Sequence, residues 1–331
     1  MNYPLNPSLY NDDVQQEPIR AGFGRGLKAA GEANEAIVAL CADLTDSTKM
    51  SDFRAAFPER FIEMGIAEQN LVTVASGLAR AGKIPFTSSY AAFSPGRNWE
   101  QIRTTIALNE QPVKIIGSHA GVSVGPDGAT HQMLEDIALM RVLPHMVVIA
   151  PGDSIEAEKA TKAIAENGQP SYLRLAREKT PIISTDESPF EIGKAYVLRE
   201  GHDICLLGTG TMTYQLLVAA KILEHHNIHA EVVHVPTVKP LDEETILASV
   251  RKTGRVVTAE EAQINAGFGG AIAELLSEKL PTPLLRVGMR DRFGESGEPA
   301  ELIKHFRLDG ASIAEDIQKF VSETPQYHQG F

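Results

Sequence analysis

The segment Phe61–Asn70, F-I-E-M-G-I-A-E-Q-N, runs into L-V-T-V-A-S-G-L-A-R-A-G over 71–82. Leu71, Val74, Ala75 and Leu78 recur there at helical spacing, which predicts a buried helix with Glu68 near its start. Burial disfavours the charged form of a carboxyl group, so a glutamate in such a place needs a cation, a metal or a hydrogen-bond donor beside it. The bland alternative is a partly solvated glutamate in the first turn, stabilised by the helix dipole.

Outward from this helix, hydrophobic periodicity alternates between strand and helix. On the N-terminal side, Ile19–Ala33 reads as a helix and Ala36–Ala42 as a buried strand that ends in the polar loop D-L-T-D-S-T. On the C-terminal side, Ile84–Ser88 reads as a strand. Tyr90–Ala107 reads as a loop entering a helix and holds the chain's one tryptophan, Trp99. Strand Val113–Gly117 leads into S-H-A-G-V-S-V-G-P-D-G-A-T-H-Q, a glycine-rich loop carrying His119, Asp127 and His131. Helix Leu134–Arg141, strand Met146–Ala150, helix Ile155–Glu166 and strand Ser171–Leu175 complete the series. A polar, proline-bearing crossing, E-K-T-P-I-I-S-T-D-E-S-P-F, follows. Beyond it a second β/α series alternates from a strand at Asp203–Gly208 to a closing helix at Ile313–Val321. The expected architecture is two consecutive open, mostly parallel sheets with helices on both faces, one over 16–182 and one over 191–325. A linker is expected at 183–190, an arm that is loose or lies on a neighbour at 1–15, and a tail at 326–331.

Composition bounds the function. With 31 Lys+Arg against 43 Asp+Glu the formal charge is −12, which argues against a general nucleic-acid or anionic-membrane binder. An anionic substrate must then be held by local cations. The two cysteines, Cys41 and Cys205, lie in apolar runs and read as reduced core thiols of a cytosolic protein. The first residues, M-N-Y-P-L-N-P-S-L-Y-N-D-D, carry no basic stretch and no apolar core, so they are not expected to act as a signal peptide, and no run is long enough for a membrane span. G-T-G-T after Asp203–Gly208 lacks both the third glycine of a dinucleotide turn and the lysine of a P-loop. His225, His226 and His229 have no second ligand cluster, which favours a helix end over a metal site. Taken alone, the loop from His119 to His131 is as consistent with a structural loop as with proton transfer. Together with Glu68, the aromatics Tyr90, Phe93 and Trp99, and the arginines Arg20 and Arg177, it points to a polar, phosphate-bearing substrate beside a flat ring.

A-D-L-T-D-S at 42–47, G-I-A-E-Q at 65–69, Y-A-A-F at 90–93, the 118–132 loop and L-A-R-E at 175–178 resemble, in that order, the transketolase family of thiamine diphosphate enzymes. The resemblance covers the pyrimidine-binding and C-terminal domains over nearly the whole chain. The family's diphosphate-binding domain, with its G-D-G motif and metal-binding asparagine, has no counterpart here, so the chain resembles the C-terminal subunit of a split transketolase. The resemblance implies that thiamine diphosphate and Mg2+ are the cofactors, with the metal ligands on an N-terminal partner subunit. It implies an α2β2 assembly built on a homodimer of this chain. Glu68 would hydrogen-bond the aminopyrimidine and favour the tautomer that deprotonates the thiazolium carbon. Tyr90 and Phe93 would flank the pyrimidine, with Trp99 nearby, and Asp43 would reach the cofactor across the subunit contact. His119 and His131 would bind the substrate carbonyl and hydroxyls, Asp127 would read a donor hydroxyl, and Arg20, Ser47 and Arg177 would grip a sugar phosphate. The reaction expected is transfer of a two-carbon ketol unit from a ketose phosphate to an aldose phosphate. The β subunit of a 2-oxo acid dehydrogenase, part of a deoxyxylulose phosphate synthase, and a non-catalytic scaffold partner are the alternatives.

Overall fold

The computed structural model describes residues 3–326. The first two positions of the expected arm, and all of the expected tail except Gln326, lie outside the described residues. Seven strands form one sheet, in the order Thr237–Lys239, Val147–Ile149, Ser171–Arg174, Lys114–Ser118, Ile84–Tyr90, Ile37–Cys41 and Phe61–Glu63. All are parallel except the first, which runs antiparallel to Val147–Ile149. The run I-V-A-L-C is buried at every position, as a parallel strand covered on both faces must be.

One covering layer pairs helix Ile19–Ala33 with helix Ser154–Glu166. Ile19, Phe23, Leu27 and Ala30 form the buried stripe of the first, and Ala157, Ala160 and Ile164 that of the second. The two backbones approach closely because two glycines face the contact. A Cβ on Gly22 would lie 1.8 Å from the Ser154 carbonyl oxygen, and one on Gly26 would lie 2.8 Å from that of Glu158.

Register places the site. Cys41 is level with Ser88, Tyr90 with Ser118, and Gly117 with Arg174. The loops that leave these adjacent strands therefore emerge side by side along the carboxyl edge of the sheet, where ligands bind in open α/β folds. Asp43, Tyr90, His119 and Arg177 all belong to that edge.

The second sheet has five strands, in the order Leu284–Met289, Val256–Gln263, Ile204–Gly208, Ala230–His234 and Tyr196–Arg199, with only the last antiparallel. Helices Met212–Glu224, Glu243–Thr253, Phe268–Lys279 and Gly310–Glu323 cover it. Two features depart from the expected division. Thr237–Lys239 crosses back to pair with the first sheet, so the halves share a strand. A buried chain then ties them further: Glu156 Oε2 accepts from the Gly152 N–H at 2.6 Å and lies 2.7 Å from His234 Nε2, while His234 Nδ1 lies 2.6 Å from Thr213 Oγ1.

The described part of the arm, expected to be loose or to lie on a neighbour, rests on the chain's own linker instead. Leu5 bridges Ser184, the Asn6 amide donates to the Ile182 carbonyl, and Ser188 Oγ donates to the Pro4 carbonyl. The linker is itself pinned by Asp153, which caps helix Ser154–Glu166 through the Glu156 N–H. The same carboxylate accepts the N–H groups of Ile183 and Ser184 and the Ser184 hydroxyl. No helix among the described residues is long and apolar enough to cross a membrane.

Asp153→Ala leaves several buried donors without an acceptor, so it is expected to cost roughly 2–4 kcal/mol of stability. Thermal unfolding and limited proteolysis check this. The expected result is a lower unfolding temperature with new cleavage between 183 and 190, and an unchanged cleavage pattern would contradict the pinning role.

Candidate functional site

Glu68 is the first residue of helix Glu68–Arg80 and is 2% exposed. The N-cap, Ala67, offers no side-chain cap, so the first turn relies on other groups. The required counter-charge is Arg97, whose Nη1 donates to Glu68 Oε2 at 2.8 Å. The guanidinium carbon of Arg97 sits 4.8 Å from the centre of the Phe93 ring. Beside it, the buried Asn98 amide donates to the Glu68 main-chain carbonyl at 2.8 Å and to Ser94 Oγ at 3.1 Å. Neither Arg97 nor Asn98 was singled out from the sequence. The signal that could have found Arg97 was the buried carboxylate's own demand for a cation, with an arginine four residues past Phe93.

Next to this pair stands a cluster of rings. Tyr90 stacks on His119 with centroids 3.8 Å apart and lies 6.1 Å from Phe93, nearly parallel to it. His131 meets Phe93 edge-on at 5.4 Å and Tyr90 at 6.2 Å. Arg20 Nη1 lies 2.9 Å from His119 Nε2. A guanidinium only donates, so Nε2 accepts and the imidazole proton sits on Nδ1, which faces Ser118 Oγ at 2.9 Å. Burial first, then the charges of Arg20 and Arg177 and nearby His131, push the His119 pKa down to about 3. His119 is thus a neutral imidazole of fixed tautomer. Its φ of 57° and that of Asp43, 56°, put both residues in the left-handed region just past the ends of their strands, a strained setting common where side chains are aimed at ligands.

A cationic corner adjoins the rings. Arg20 also donates to the Ser47 carbonyl at 2.8 Å, while its Nε is buried without a partner among the described residues. Burial, followed by the like charge of Arg177, lowers the Arg20 pKa from its usual value. Two guanidiniums that feel each other in this way favour an anion between them. Arg177 is held by the Val124 carbonyl at 2.6 Å and lies 3.6 Å from Glu178.

The other candidates stand at different distances from this centre. Asp127 is exposed on the rim of the glycine-rich loop, where its carbonyl receives Thr130 Oγ1. Asp43 is exposed and its N–H donates to Glu63 Oε1 at 2.7 Å, which ties its loop to the edge strand rather than to the ring cluster. Trp99 takes no part in the ring contacts found among the described residues; its indole N–H donates to the Leu139 carbonyl and its ring packs on the core. Among the described residues no group of three or more His, Cys, Asp or Glu is placed to hold a metal ion.

Both halves of the chain match known domains. The transketolase pyrimidine-binding domain matches residues 16–182, and the transketolase C-terminal domain matches residues 193–313. A Methanocaldococcus jannaschii protein named for the transketolase C-terminal section is 46% identical over 304 residues, spanning 91% of this chain and 95% of that one. A Clostridium sp. (strain MSTE9) protein named as a 6-deoxy-6-sulfo-D-fructose transketolase subunit is 43% identical over 313 residues, spanning 95% of this chain and 96% of that one. A solved structure described as a split-gene transketolase in an inactive β4 tetramer superposes with a TM-score of 0.86 at 45% identity, covering 92% of this chain and 98% of that one. The chain therefore belongs to the transketolase family and corresponds to the C-terminal section of a split-gene transketolase.

Proposed function

We propose that this chain is the C-terminal subunit of a thiamine diphosphate-dependent transketolase that works only with a separate diphosphate-binding subunit. The observation that carries the reading is a buried Glu68 carboxylate beside the stacked Tyr90 and Phe93 rings, at the carboxyl edge of a parallel sheet. A carboxyl group edge-on that shares a proton with the ring nitrogen, and an aromatic face alongside, are what an aminopyrimidine ring requires. Glu68 and Phe93 would hold that ring, Tyr90 would extend the stack, and Asp43 would line the approach from across the subunit contact. The diphosphate and its Mg2+ would be gripped by the partner. When bound, the cofactor supplies the nucleophilic carbon and the electron sink for breaking a ketose carbon–carbon bond beside its carbonyl.

The chain's own groups orient the substrate. Neutral His119 would accept from a substrate hydroxyl through Nε2 without adding charge once Arg20, which donates to that nitrogen in the free subunit, turns to the anionic end of the sugar. His131, braced through Nδ1 by Thr130 Oγ1 at 2.8 Å, offers a second imidazole. Asp127 on the rim would accept from a donor hydroxyl. Arg20, Ser47 and Arg177 would hold the anionic end of the sugar. A phosphorylated ketose fits that corner, and so does a sulfonated one of the kind for which the Clostridium relative is named. The subunits would assemble as α2β2, with two copies of this chain in contact.

Three measurements test the proposal. The chain alone should transfer no ketol unit, and adding the partner subunit with Mg2+ and thiamine diphosphate should restore transfer; turnover by the chain alone would overturn the split reading. In the assembled enzyme, Glu68→Gln should lower kcat by at least about 100-fold with a smaller effect on KM, whereas near-wild-type turnover would remove Glu68 from the mechanism. Arg177→Ala should raise KM for a phosphorylated donor by about tenfold or more and leave an unphosphorylated donor almost unaffected. Equal effects on the two donors would refute an anion-binding Arg177.

A further inference from the structure

Arg97 satisfies Glu68 and Phe93 at once. Its guanidinium is planar, donates to Glu68 Oε2 at 2.8 Å, and rests over the Phe93 face at 4.8 Å, inside the range of ring-on-ring stacking. An aminopyrimidine protonated on its ring nitrogen and held by the same two side chains has the same description: a flat, donor-edged cation against an aromatic face. A ring that took Oε2 and that face of Phe93 would have to displace the guanidinium. We propose that Arg97 is a stand-in for the pyrimidine, neutralising Glu68 in the cofactor-free subunit and yielding its place when thiamine diphosphate binds. The inference rests on the function proposed above and adds an exchange step carried by a residue of this chain.

The surroundings suit an exchange. The Arg97 side chain is 49% exposed while Glu68 is 2% exposed, so one partner is free to swing into solvent and the other is not. The backbone on either side is held by its own hydrogen bonds. Asn98 is fully buried and bonded to the Glu68 carbonyl and Ser94 Oγ, and the Arg97 N–H is held by the Phe93 carbonyl. Movement is thereby confined to a long, unbranched side chain. A buried carboxylate with no cation beside it is costly, so the cofactor-free subunit needs a group that fills this role and can leave. An ion pair with one half-exposed partner is weak enough to be displaced.

The exchange makes Arg97 a competitor of the cofactor, and this gives a sign that a merely cofactor-holding arginine would not share. In the assembled enzyme stripped of cofactor, titration calorimetry with thiamine diphosphate and saturating Mg2+ should show Arg97→Ala binding about tenfold more tightly than wild type. The cofactor-free Arg97→Ala assembly should also melt at a lower temperature, so that its melting shift on adding cofactor is larger than that of wild type. In a Glu68→Gln background the ion pair is already gone, and adding Arg97→Ala should change Kd by less than about twofold. If Arg97→Ala does not assemble, Arg97→Gln, uncharged and shorter, carries the same expectation. Unchanged or weaker cofactor binding in these variants would overturn the inference and leave the transketolase function intact. A wild-type assembly that bound no thiamine diphosphate at all would overturn both.

Discussion

A carboxylate removed from water in the first turn of a helix is the constraint on which the rest of this structure turns. Glu68 is ionised at acceptable cost only if a cation or a strong donor meets it, because burial withdraws the solvation of its charge. The chain meets the requirement with one arginine and secures the backbone around it with one asparagine. Everything else near the site acts to keep that geometry. Helix Glu68–Arg80 is seated by Leu71, Val72 and Ala75 in the core, so the carboxylate cannot rotate out without unpacking its own helix.

The sheet contributes position and the loops contribute chemistry. Adjacent strands in register deliver Tyr90 and His119 to the same level, close enough to stack. A neutral histidine of fixed tautomer follows from burial between two arginines, and those arginines in turn form the corner suited to an anion. The C-terminal half stabilises this edge from below. Glu261 on strand Val256–Gln263 accepts the Ser123 N–H at 2.7 Å, which anchors the glycine-rich loop, and Arg174 joins Asp136 at 2.8 Å to the Glu261 carbonyl at 2.7 Å. A half of the molecule that carries no proposed site residue thereby anchors the loop that carries His119, Asp127 and His131.

Much of this was legible in the residues. The stripe Ile19, Phe23, Leu27 and Ala30 specifies its helix unambiguously, and the runs I-V-A-L-C and I-C-L-L-G specify buried strands, since local periodicity is a local property. Glu68 stood out for the same reason, as a charge where the pattern demanded none. What escaped were relations between distant segments. Thr237–Lys239 is too short to show a period, and its pairing with Val147–Ile149 depends on the whole fold. The arm looked free because nothing in its composition announces that Asn6 and Leu5 will meet residues 182–184. Trp99 drew attention as the lone tryptophan beside aromatics, yet its indole is committed to the Leu139 carbonyl, while Arg97, two residues earlier, reaches the carboxylate.

The central claim is that Glu68 and the Phe93 face are one half of a ring-binding site whose other half lies on a second polypeptide. A crystal structure of the assembled enzyme with thiamine diphosphate and Mg2+ tests it most directly. The account predicts a Glu68 carboxylate oxygen within hydrogen-bonding distance of the pyrimidine ring nitrogen, that ring against Phe93, and the Arg97 guanidinium moved off both. A cofactor bound elsewhere, with the Glu68–Arg97 pair intact, would contradict it.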